Sequence, residues 1–289
     1  MEHVVTKPSA PFTSASGKLE IHQVPAWQDN LIWLVVSTAT KQAAAVDGPE
    51  AGPVLAYCEA QGIELTTILN THTHFDHIGI NRDLQGRGLL SAMRVVGPKR
   101  AAADVPGLTE PVDEGSRVEL GGVEGRVMLT EGHIDGHVSF VFEDVVFCGD
   151  TLFAGGCGYL FDGPPAKMHD SLTRLKALDG PTRVCCAHEY TEDNLRFAWS
   201  VEPDNDDLAL RIRNVWRIRA EGGSTVPSTI DEERRTNPFL RHGSPTVKAS
   251  VARAFPDVDL SDGAAVFAAL RRLKDQKSYR KLGDDQLPL

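Results

Sequence analysis

A dense group of potential metal ligands occupies the segment Thr71-His72-Thr73-His74-Phe75-Asp76-His77, directly after the apolar run 67–69. If the backbone is extended there, His72 and His74 point the same way and both reach one ion, because side chains alternate along a strand. Asp76 and His77 then open the next helix and face a second ion. Burying these groups together without a metal would leave polar atoms in need of partners, which is costly. The segment therefore predicts a two-metal centre.

Four side chains cannot complete two metal sites, so further ligands are required at the ends of later strands. His133 follows a predicted strand at 123–129, Asp150 follows one at 145–148, and His188 follows one at 183–186. His137 fits a structural or supporting role as well as it fits metal binding. The predicted ligands are His72, His74, Asp76, His77, His133, Asp150 and His188.

Strands and helices alternate through the first two thirds of the chain, which is typical of a layered α/β domain. Predicted strands lie at 31–36, 43–46, 65–70, 123–129, 138–142, 145–148 and 183–186, and predicted helices at 53–61, 79–85, 98–103 and 167–178. From 194 onward helical periods dominate. Thr229 and Glu232 have the spacing of a capping box, and Asn237-Pro238 is typical of a helix end.

Three regions follow from this pattern. We predict a disordered tail over residues 1–18, which are rich in Ser, Thr, Pro and Ala. A metal-binding domain is predicted over 19–193, and a helical substrate-binding domain over 194–289.

Composition narrows the class of partner. The formal net charge of −10 argues against nucleic acid and anionic membranes as partners and favours a small molecule. No apolar run approaches the roughly 18 residues that cross a bilayer. The five cysteines lack the spacing of a disulfide framework, and the N-terminal residues lack the features of a targeting signal. We therefore expect a cytoplasmic protein.

The motifs resemble the metallo-β-lactamase superfamily, whose fold is a four-layer αβ/βα sandwich. The shared features are the His-x-His-x-Asp-His motif, the Gly132-His133 turn, the segment 149–153 and the late His188. Other segments resemble one member family, the glyoxalase II or hydroxyacylglutathione hydrolase family: Asp29-Asn30, Gly155-Gly156-Cys157-Gly158, His188-Glu189-Tyr190-Thr191, Asn237-Pro238-Phe239 and Arg271-Arg272-Leu273-Lys274-Asp275. The resemblance spans about residues 24–275 and implies this α/β sandwich followed by a C-terminal helical domain.

The resemblance also implies a ligand assignment and a reaction. His72, His74 and His133 would bind one divalent ion, Asp76, His77 and His188 a second, and Asp150 would bridge them, with zinc expected and iron or manganese also suited to these donors. Two ions would lower the pKa of a shared water from about 15.7 toward about 7, and Asp76 would orient the resulting hydroxide. The implied reaction, part of methylglyoxal detoxification, is hydrolysis of S-2-hydroxyacylglutathione, with S-D-lactoylglutathione giving D-lactate and glutathione.

Five residues are expected to contact the substrate. Tyr190, Arg271 and Lys274 match family positions that contact glutathione. Arg271 and Lys274 lie at i and i+3 on one helix face, where they would grip a carboxylate; the alternative is a solvated basic face. Where the family usually carries a basic residue followed two positions later by a tyrosine, this chain has Tyr159 and Phe161. The expected thiol-binding wall therefore lacks one charge and one hydroxyl.

Other functions stay open on the sequence. They are a thioesterase for a different thiol carrier, a persulfide dioxygenase, a β-lactamase and a non-enzymatic metal-binding or thiol-binding protein. The persulfide dioxygenase branch uses one iron and should lack the second-metal histidine, so His188 counts against it. Cys157 is a candidate covalent nucleophile, but no partner base can be assigned to it. Cys185 and Cys186 lie in an apolar strand, where they are expected to act as small buried hydrophobes.

Overall fold

The computed structural model describes residues 3–289, which contain two large facing β-sheets. Within these residues the first sheet has the strand order β1 (Phe12–Thr13), β2 (Leu19–Ala26), β3 (Asn30–Ser37), β4 (Gln42–Val46), β5 (Glu64–Leu69), β6 (Arg94–Pro98) and β7 (Glu110–Val112). The second has the order β15 (Ser228–Thr229), β14 (Arg183–Cys186), β11 (Val145–Gly149), β10 (Val138–Phe142), β9 (Val123–Leu129) and β8 (Arg117–Leu120). A hairpin of β12 (Leu152–Phe153) and β13 (Gly156–Cys157) follows β11.

The alternation of side chains along β3 shows how the layers form. Leu31, Trp33 and Val35 lie in the core that is shared with the second sheet. Ile32, Leu34 and Val36 point to the opposite face and pack beneath the first two helices. Because both faces of β3 are apolar, the strand is buried on both sides and the first sheet needs helices on its outer face.

Eight α-helices cover the sheets and form the C-terminal region of residues 3–289. They are α1 (Gly52–Gln61), α2 (Phe75–Gly86), α3 (Pro165–Lys176), α4 (Thr191–Val201), α5 (Asp206–Ala220), α6 (Ile230–Thr236), α7 (Pro245–Ala254) and α8 (Gly263–Asp275). The first two pack outside the first sheet, whereas α3 and α8 contribute to the larger core beside the second sheet. The predicted sandwich with a C-terminal helical region is confirmed.

Local signals at the start and end of α6 act as predicted. The Thr229 hydroxyl oxygen accepts a hydrogen bond from the Glu232 amide at 3.2 Å, which is one half of a capping box. The helix ends at Thr236, before Asn237-Pro238. The strands at 123–129, 138–142 and 183–186 have the predicted bounds.

The structure differs from the predicted secondary structure at two helices and at one strand. The segment predicted as a helix at 98–103 is a 3-10 turn over Lys99–Asp104, broken by the non-helical backbone of Ala101. Helix α2 begins at Phe75, before the predicted bound at residue 79, because Asp76 and His77 lie in its first turn, as the ligand motif had indicated. Strand β2 was not predicted, because its polar residues and Pro25 interrupt the apolar pattern of an ordinary strand.

The prediction of a disordered tail over residues 1–18 is wrong for residues 3–18, while residues 1 and 2 lie outside the described range. Phe12 and Thr13 pair with β2, and the Phe12 ring packs 6.5 Å from Trp33. Val5 is buried, and Lys7 bridges to Gly223. Apolar burial by Val5 and Phe12 outweighs the disorder-prone composition of this segment. The domain division at 193/194 stays a prediction.

A buried charged network ties the C-terminal helices to the β12–β13 hairpin. Glu233 is fully buried and accepts hydrogen bonds from Arg211 at 2.6 Å and from the Asn237 amide group at 2.9 Å. Its second oxygen also accepts from the Gly155 backbone N–H at 2.8 Å. Because Gly155 lies in the turn between β12 and β13, α5 and α6 together fix the position of that hairpin.

Candidate metal centre and adjoining cavity

The strand ends bring all seven predicted ligands together. They follow β5, β9, β11 and β14 and form two groups in which the ligand atoms of each lie within 4.8 Å of one another: His72, His74, His133 and Asp150 in the first, and Asp76, His77 and His188 in the second. Gly149 lets the chain turn between β11 and Asp150, since its φ is 47° and an added Cβ would lie 2.3 Å from the Thr71 hydroxyl.

In the first group, three imidazole nitrogens converge. His72 Nε2 lies 3.1 Å and His133 Nε2 2.9 Å from His74 Nδ1. Asp150 Oδ2 is 3.4 Å from His133 Nε2. Ligand atoms that surround a tetrahedral ion at about 2.1 Å are about 3.4 Å apart, so these separations suit one ion.

In the second group, Asp150 presents its other carboxylate oxygen. Its Oδ1 lies 3.5 Å from His77 Nε2 and 3.4 Å from His188 Nε2. Asp76 Oδ2 is 3.6 Å from His77 Nε2 and 3.4 Å from His188 Nε2. Because Asp150 faces each group with a different oxygen, it is placed to bridge two ions.

Unpaired buried atoms show that the residues fit a metal. His77 Nε2 and Asp150 Oδ1 are buried and have no hydrogen-bond partner within residues 3–289. Leaving such atoms unpaired is costly, whereas a divalent ion between them would satisfy both. The clusters thus supply the donor set for two divalent metal ions.

Supporting groups orient the imidazoles through the nitrogen that faces away from the clusters. His188 Nδ1 lies 2.8 Å from Asp29 Oδ1, and His133 Nδ1 is 2.7 Å from the Tyr159 carbonyl oxygen. His72 Nδ1 is 3.0 Å from the Thr71 hydroxyl. Such contacts fix ring orientation and tautomer, so each imidazole presents a lone pair to the cluster.

Asp47, which sequence reasoning missed, braces the strand end. It accepts hydrogen bonds from the Thr71 N–H at 2.8 Å and the Thr71 hydroxyl at 2.7 Å. Its Oδ2 is also 3.0 Å from His77 Nδ1, close enough for ionic attraction although the alignment makes no hydrogen bond. Asp47 directly follows the predicted strand 43–46, so the strand-end signal that identified Asp150 was present here too.

Two further residues have supporting positions. The Asn30 amide donates to Asp76 Oδ2 at 3.1 Å. His137 is fully buried, and its Nε2 accepts from the Asp150 N–H at 3.2 Å. His137 is therefore a supporting residue in this structure, the first of the two roles that the sequence allowed.

Electrostatics favour the metal-binding protonation states of His72 and Asp150, whereas the Asp150 and Asp47 carboxylates outweigh burial and raise the pKa of His77. Burial, reinforced by the His77 and His137 imidazoles, lowers the pKa of His72 well below its ordinary value. Burial alone would raise the pKa of Asp150, but His188 and His77 outweigh it and the net pKa falls far below the usual range. A neutral imidazole and an ionised carboxylate are the forms that bind metal ions.

Substitution of Asp29 by alanine should weaken metal binding by about 10- to 100-fold, because His188 loses the carboxylate that orients it. Competition with a chromogenic chelator measures this change. Asp170→Ala removes an equal charge from an exposed position on α3 and should leave affinity unchanged. Equal affinity in Asp29→Ala and wild type would show that Asp29 does not support the site.

A cavity of about 280 Å³ adjoins the metal centre and contains four of the five predicted substrate residues: Tyr159, Tyr190, Arg271 and Lys274. The wall also contains Cys157, which the sequence offered as a candidate nucleophile, and four residues that sequence reasoning missed: Phe153, Asp193, Asn194 and Arg280. The Tyr190 ring is stacked 4.8 Å from that of His188, so the cavity meets the second ligand group there.

The two basic residues of α8 enter the wall from one helix face, as predicted, and are not a solvated basic face. Arg271 and Lys274 are only 6% and 8% exposed. Arg271 donates to the Cys157 carbonyl oxygen at 3.1 Å and pairs with Asp275 at 2.7 Å. Lys274 donates to the Asn194 side-chain oxygen. Burial, reinforced by Arg271, lowers the pKa of Lys274 to about 7.

Phe161 lies at a different place from the other predicted substrate residues. Its exposed ring is 5.1 Å from His74 and 5.2 Å from His133, beside the first ligand group and outside the cavity wall. Tyr159 is half exposed and connects the cavity wall to Phe161, since the Tyr159 and Phe161 rings pack 4.9 Å apart. An aromatic edge therefore runs from the cavity to the metal ligands.

Cys157 does not have the environment of a nucleophile. Its thiol is buried, and burial raises its pKa despite the nearby Arg271 and Lys274. Cys185 and Cys186 are buried in β14, as predicted. None of the helices in residues 3–289 is long and apolar enough to cross a membrane.

Comparison with known proteins places both parts of the chain. The model of the metallo-beta-lactamase superfamily matches residues 33–188, and that of the hydroxyacylglutathione hydrolase C-terminus matches residues 189–277. A hydroxyacylglutathione hydrolase of Synechococcus sp. (strain JA-2-3B'a(2-13)) is 46% identical over 260 residues, which cover 89% of this chain and 100% of the relative. One of Photobacterium profundum is 45% identical over 258 residues, 89% of this chain and 99% of the relative.

Solved structures agree on the fold. ETHE1 from Myxococcus xanthus is 23% identical with a TM-score of 0.57, over 88% of this chain and 97% of that one. TTHA1623, solved in a di-iron-bound form, is 25% identical with a TM-score of 0.51, over 80% of this chain and 100% of that one. Since relatives at more than 40% identity match over nearly their whole length, the chain belongs to the hydroxyacylglutathione hydrolase family of the metallo-beta-lactamase superfamily.

Proposed function

We propose that the protein is a glyoxalase II, a thioesterase that hydrolyses S-2-hydroxyacylglutathione and converts S-D-lactoylglutathione to D-lactate and glutathione. The observation that carries this proposal is the position of the cavity, whose wall contains Arg271 and Lys274 and also Tyr190, which is stacked on the metal ligand His188. Family membership supports the same reaction. The second ligand group, which includes His77 and His188, counts against a one-iron dioxygenase.

We propose zinc as the resident ion at both positions, with His72, His74 and His133 at one, Asp76, His77 and His188 at the other, and Asp150 shared. When bound, two such ions supply a nucleophilic water at neutral pH and polarise the thioester carbonyl. Zinc suits imidazole and carboxylate donors, although iron and manganese accept them as well. Elemental analysis of the purified protein identifies the ion.

The residues of the chain position the reactants. Asp76 Oδ2 lies between His77 and His188 and accepts from Asn30, which fixes the carboxylate where it can orient the attacking water. Arg271 and Lys274 hold the carboxylate of the glycine residue of glutathione. Tyr190 and Tyr159 contact the central cysteinyl part of the tripeptide. The glutathione thiolate leaves without strong acid catalysis, because the pKa of an ordinary thiol is about 8.5.

Wild-type protein loaded with zinc should hydrolyse S-D-lactoylglutathione, as followed by the loss of thioester absorbance. Arg271→Ala should raise KM about tenfold or more, since a buried guanidinium contact to a carboxylate is lost, while kcat changes less. Arg272→Ala, which changes the exposed neighbour on α8, should leave KM unchanged.

Arg271 also donates a hydrogen bond to the Cys157 carbonyl, so Arg271→Ala could raise KM through a change in local structure. Arg271→Lys distinguishes a loss of substrate binding from such a structural change. This variant retains a charge but not the fork of the guanidinium, and its KM should fall between those of wild type and Arg271→Ala. A metal-loaded wild type that leaves S-D-lactoylglutathione intact but cleaves a thioester of another thiol would contradict the proposed substrate. Equal KM values for wild type and Arg271→Ala would contradict the proposed clamp.

A further inference from the structure

The segment after α8 turns back toward the cavity. The chain leaves the helix through Lys277, whose φ of 57° is left-handed, and forms a 3-10 turn over Ser278–Lys281. Tyr279 anchors this turn: its ring packs 5.3 Å from Phe197, and its hydroxyl donates to Asp193 Oδ2 at 2.6 Å. The next residue is therefore held at the cavity wall.

That residue, Arg280, presents a forked cation to the cavity. Its Nε donates to Asp193 Oδ1 at 2.9 Å, and its side chain is 51% exposed. The guanidinium also lies against the Tyr279 hydroxyl, and within residues 3–289 it pairs with no carboxylate other than that of Asp193. A half-exposed guanidinium that is paired with a single carboxylate is suited to bind a second one through its terminal N–H groups.

The three cations of the wall lie at different depths. Arg271 and Lys274 are almost fully buried, whereas Arg280 is half exposed. One carboxylate at the inner cations leaves Arg280 free for a second anionic group nearer the solvent. A glutathione thioester carries two carboxylates, one on its glycine and one at the far end on its γ-glutamyl residue.

On the basis of the function proposed above, we propose that Arg280 binds the γ-glutamyl carboxylate of the substrate and so contributes to thiol specificity. The matched family model ends at residue 277, so Arg280 lies beyond the matched residues. It supplies a cation in a wall where Tyr159 stands in place of the basic residue usual in the family.

Two substrates test the assignment: S-D-lactoylglutathione and the S-D-lactoyl thioester of N-acetylcysteinylglycine, which keeps the glycine carboxylate but lacks the γ-glutamyl one. Arg280→Ala should raise KM about fivefold for the first and leave KM for the second unchanged. Lys281→Ala, which removes the adjacent exposed cation, should change neither. Calorimetry should show the same fivefold loss in the affinity of Arg280→Ala for glutathione itself.

A purely structural role predicts a different pattern. If Arg280 only held Asp193 in place, Arg280→Ala would raise KM equally for both thioesters, and that result would overturn the proposal, as would unchanged values for both. Wild type that hydrolysed neither thioester but bound glutathione more tightly than Arg280→Ala would contradict the proposed reaction while supporting the contact. Wild type that hydrolysed neither thioester and bound glutathione no more tightly than Arg280→Ala would contradict both the proposed reaction and the proposed contact.

Discussion

His77→Ala is expected to lower kcat/KM for S-D-lactoylglutathione by at least about 10³-fold and to reduce bound metal from about two ions per chain to about one. Replacing a group that only supports a ligand costs about 10- to 100-fold, so losing a ligand should cost more. His77 is completely buried, and its Nε2 faces both Asp76 and Asp150. Steady-state kinetics and elemental analysis of the same preparation measure the two effects together.

The control for this substitution is His169→Ala, which removes a half-buried imidazole on α3 that belongs to neither ligand group. It should keep both the activity and the metal content. Circular dichroism of His77→Ala checks that the fold persists. A His77→Ala protein with full metal content and activity near wild type would show that His77 is not a ligand and that the reaction does not need the second group.

Glu233→Ala is expected to lower the free energy of unfolding by about 3 kcal/mol or more, because it leaves a buried guanidinium with its main partner removed. Arg211 is 4% exposed and Glu233 is fully buried, so water does not replace the lost contact. The Gly155 N–H and the Asn237 amide also lose their acceptor. Urea denaturation followed by fluorescence measures the change.

Asp231→Ala provides the matched comparison on the same helix. Its carboxylate is 57% exposed and pairs with Arg234, so the loss should stay below about 1 kcal/mol. If Glu233→Ala were no more destabilising than Asp231→Ala, the network would not hold the hairpin to the helices in the way its geometry indicates.

The sequence was most informative where ligands followed strands at short spacing. His72, His74 and Asp76 fall within five positions after an apolar run, so local periodicity alone places them together. His133, Asp150 and His188 were predictable because each follows a recognisable strand, although their mutual approach depends on the order of strands in the sheets. That order, including the parallel pairing of β11 with β14, has no local signature.

Other features depend on contacts that no local pattern reveals. The role of the Asp29 carboxylate arises only because His188, which is distant in the sequence, points at it. The first residues of the chain have the composition of a disordered segment, yet they pack because Phe12 and Val5 find apolar partners. Arg280 gave no signal, since its position depends on the turn after α8.

The contacts that hold Arg271 and Lys274 also fix a distance within the site. Arg271 is bonded to the Cys157 carbonyl and Lys274 to Asn194, so the separation between the basic residues of α8 and the metal ligands is set by rigid elements. Under the proposed function, the wall acts as a molecular ruler for the thiol. In glutathione, the Cys-Gly dipeptide separates the sulfur from the glycine carboxylate. A thiol peptide in which this segment is one residue longer or shorter would place its thioester away from the metals. The enzyme would therefore select substrates by length as well as by charge.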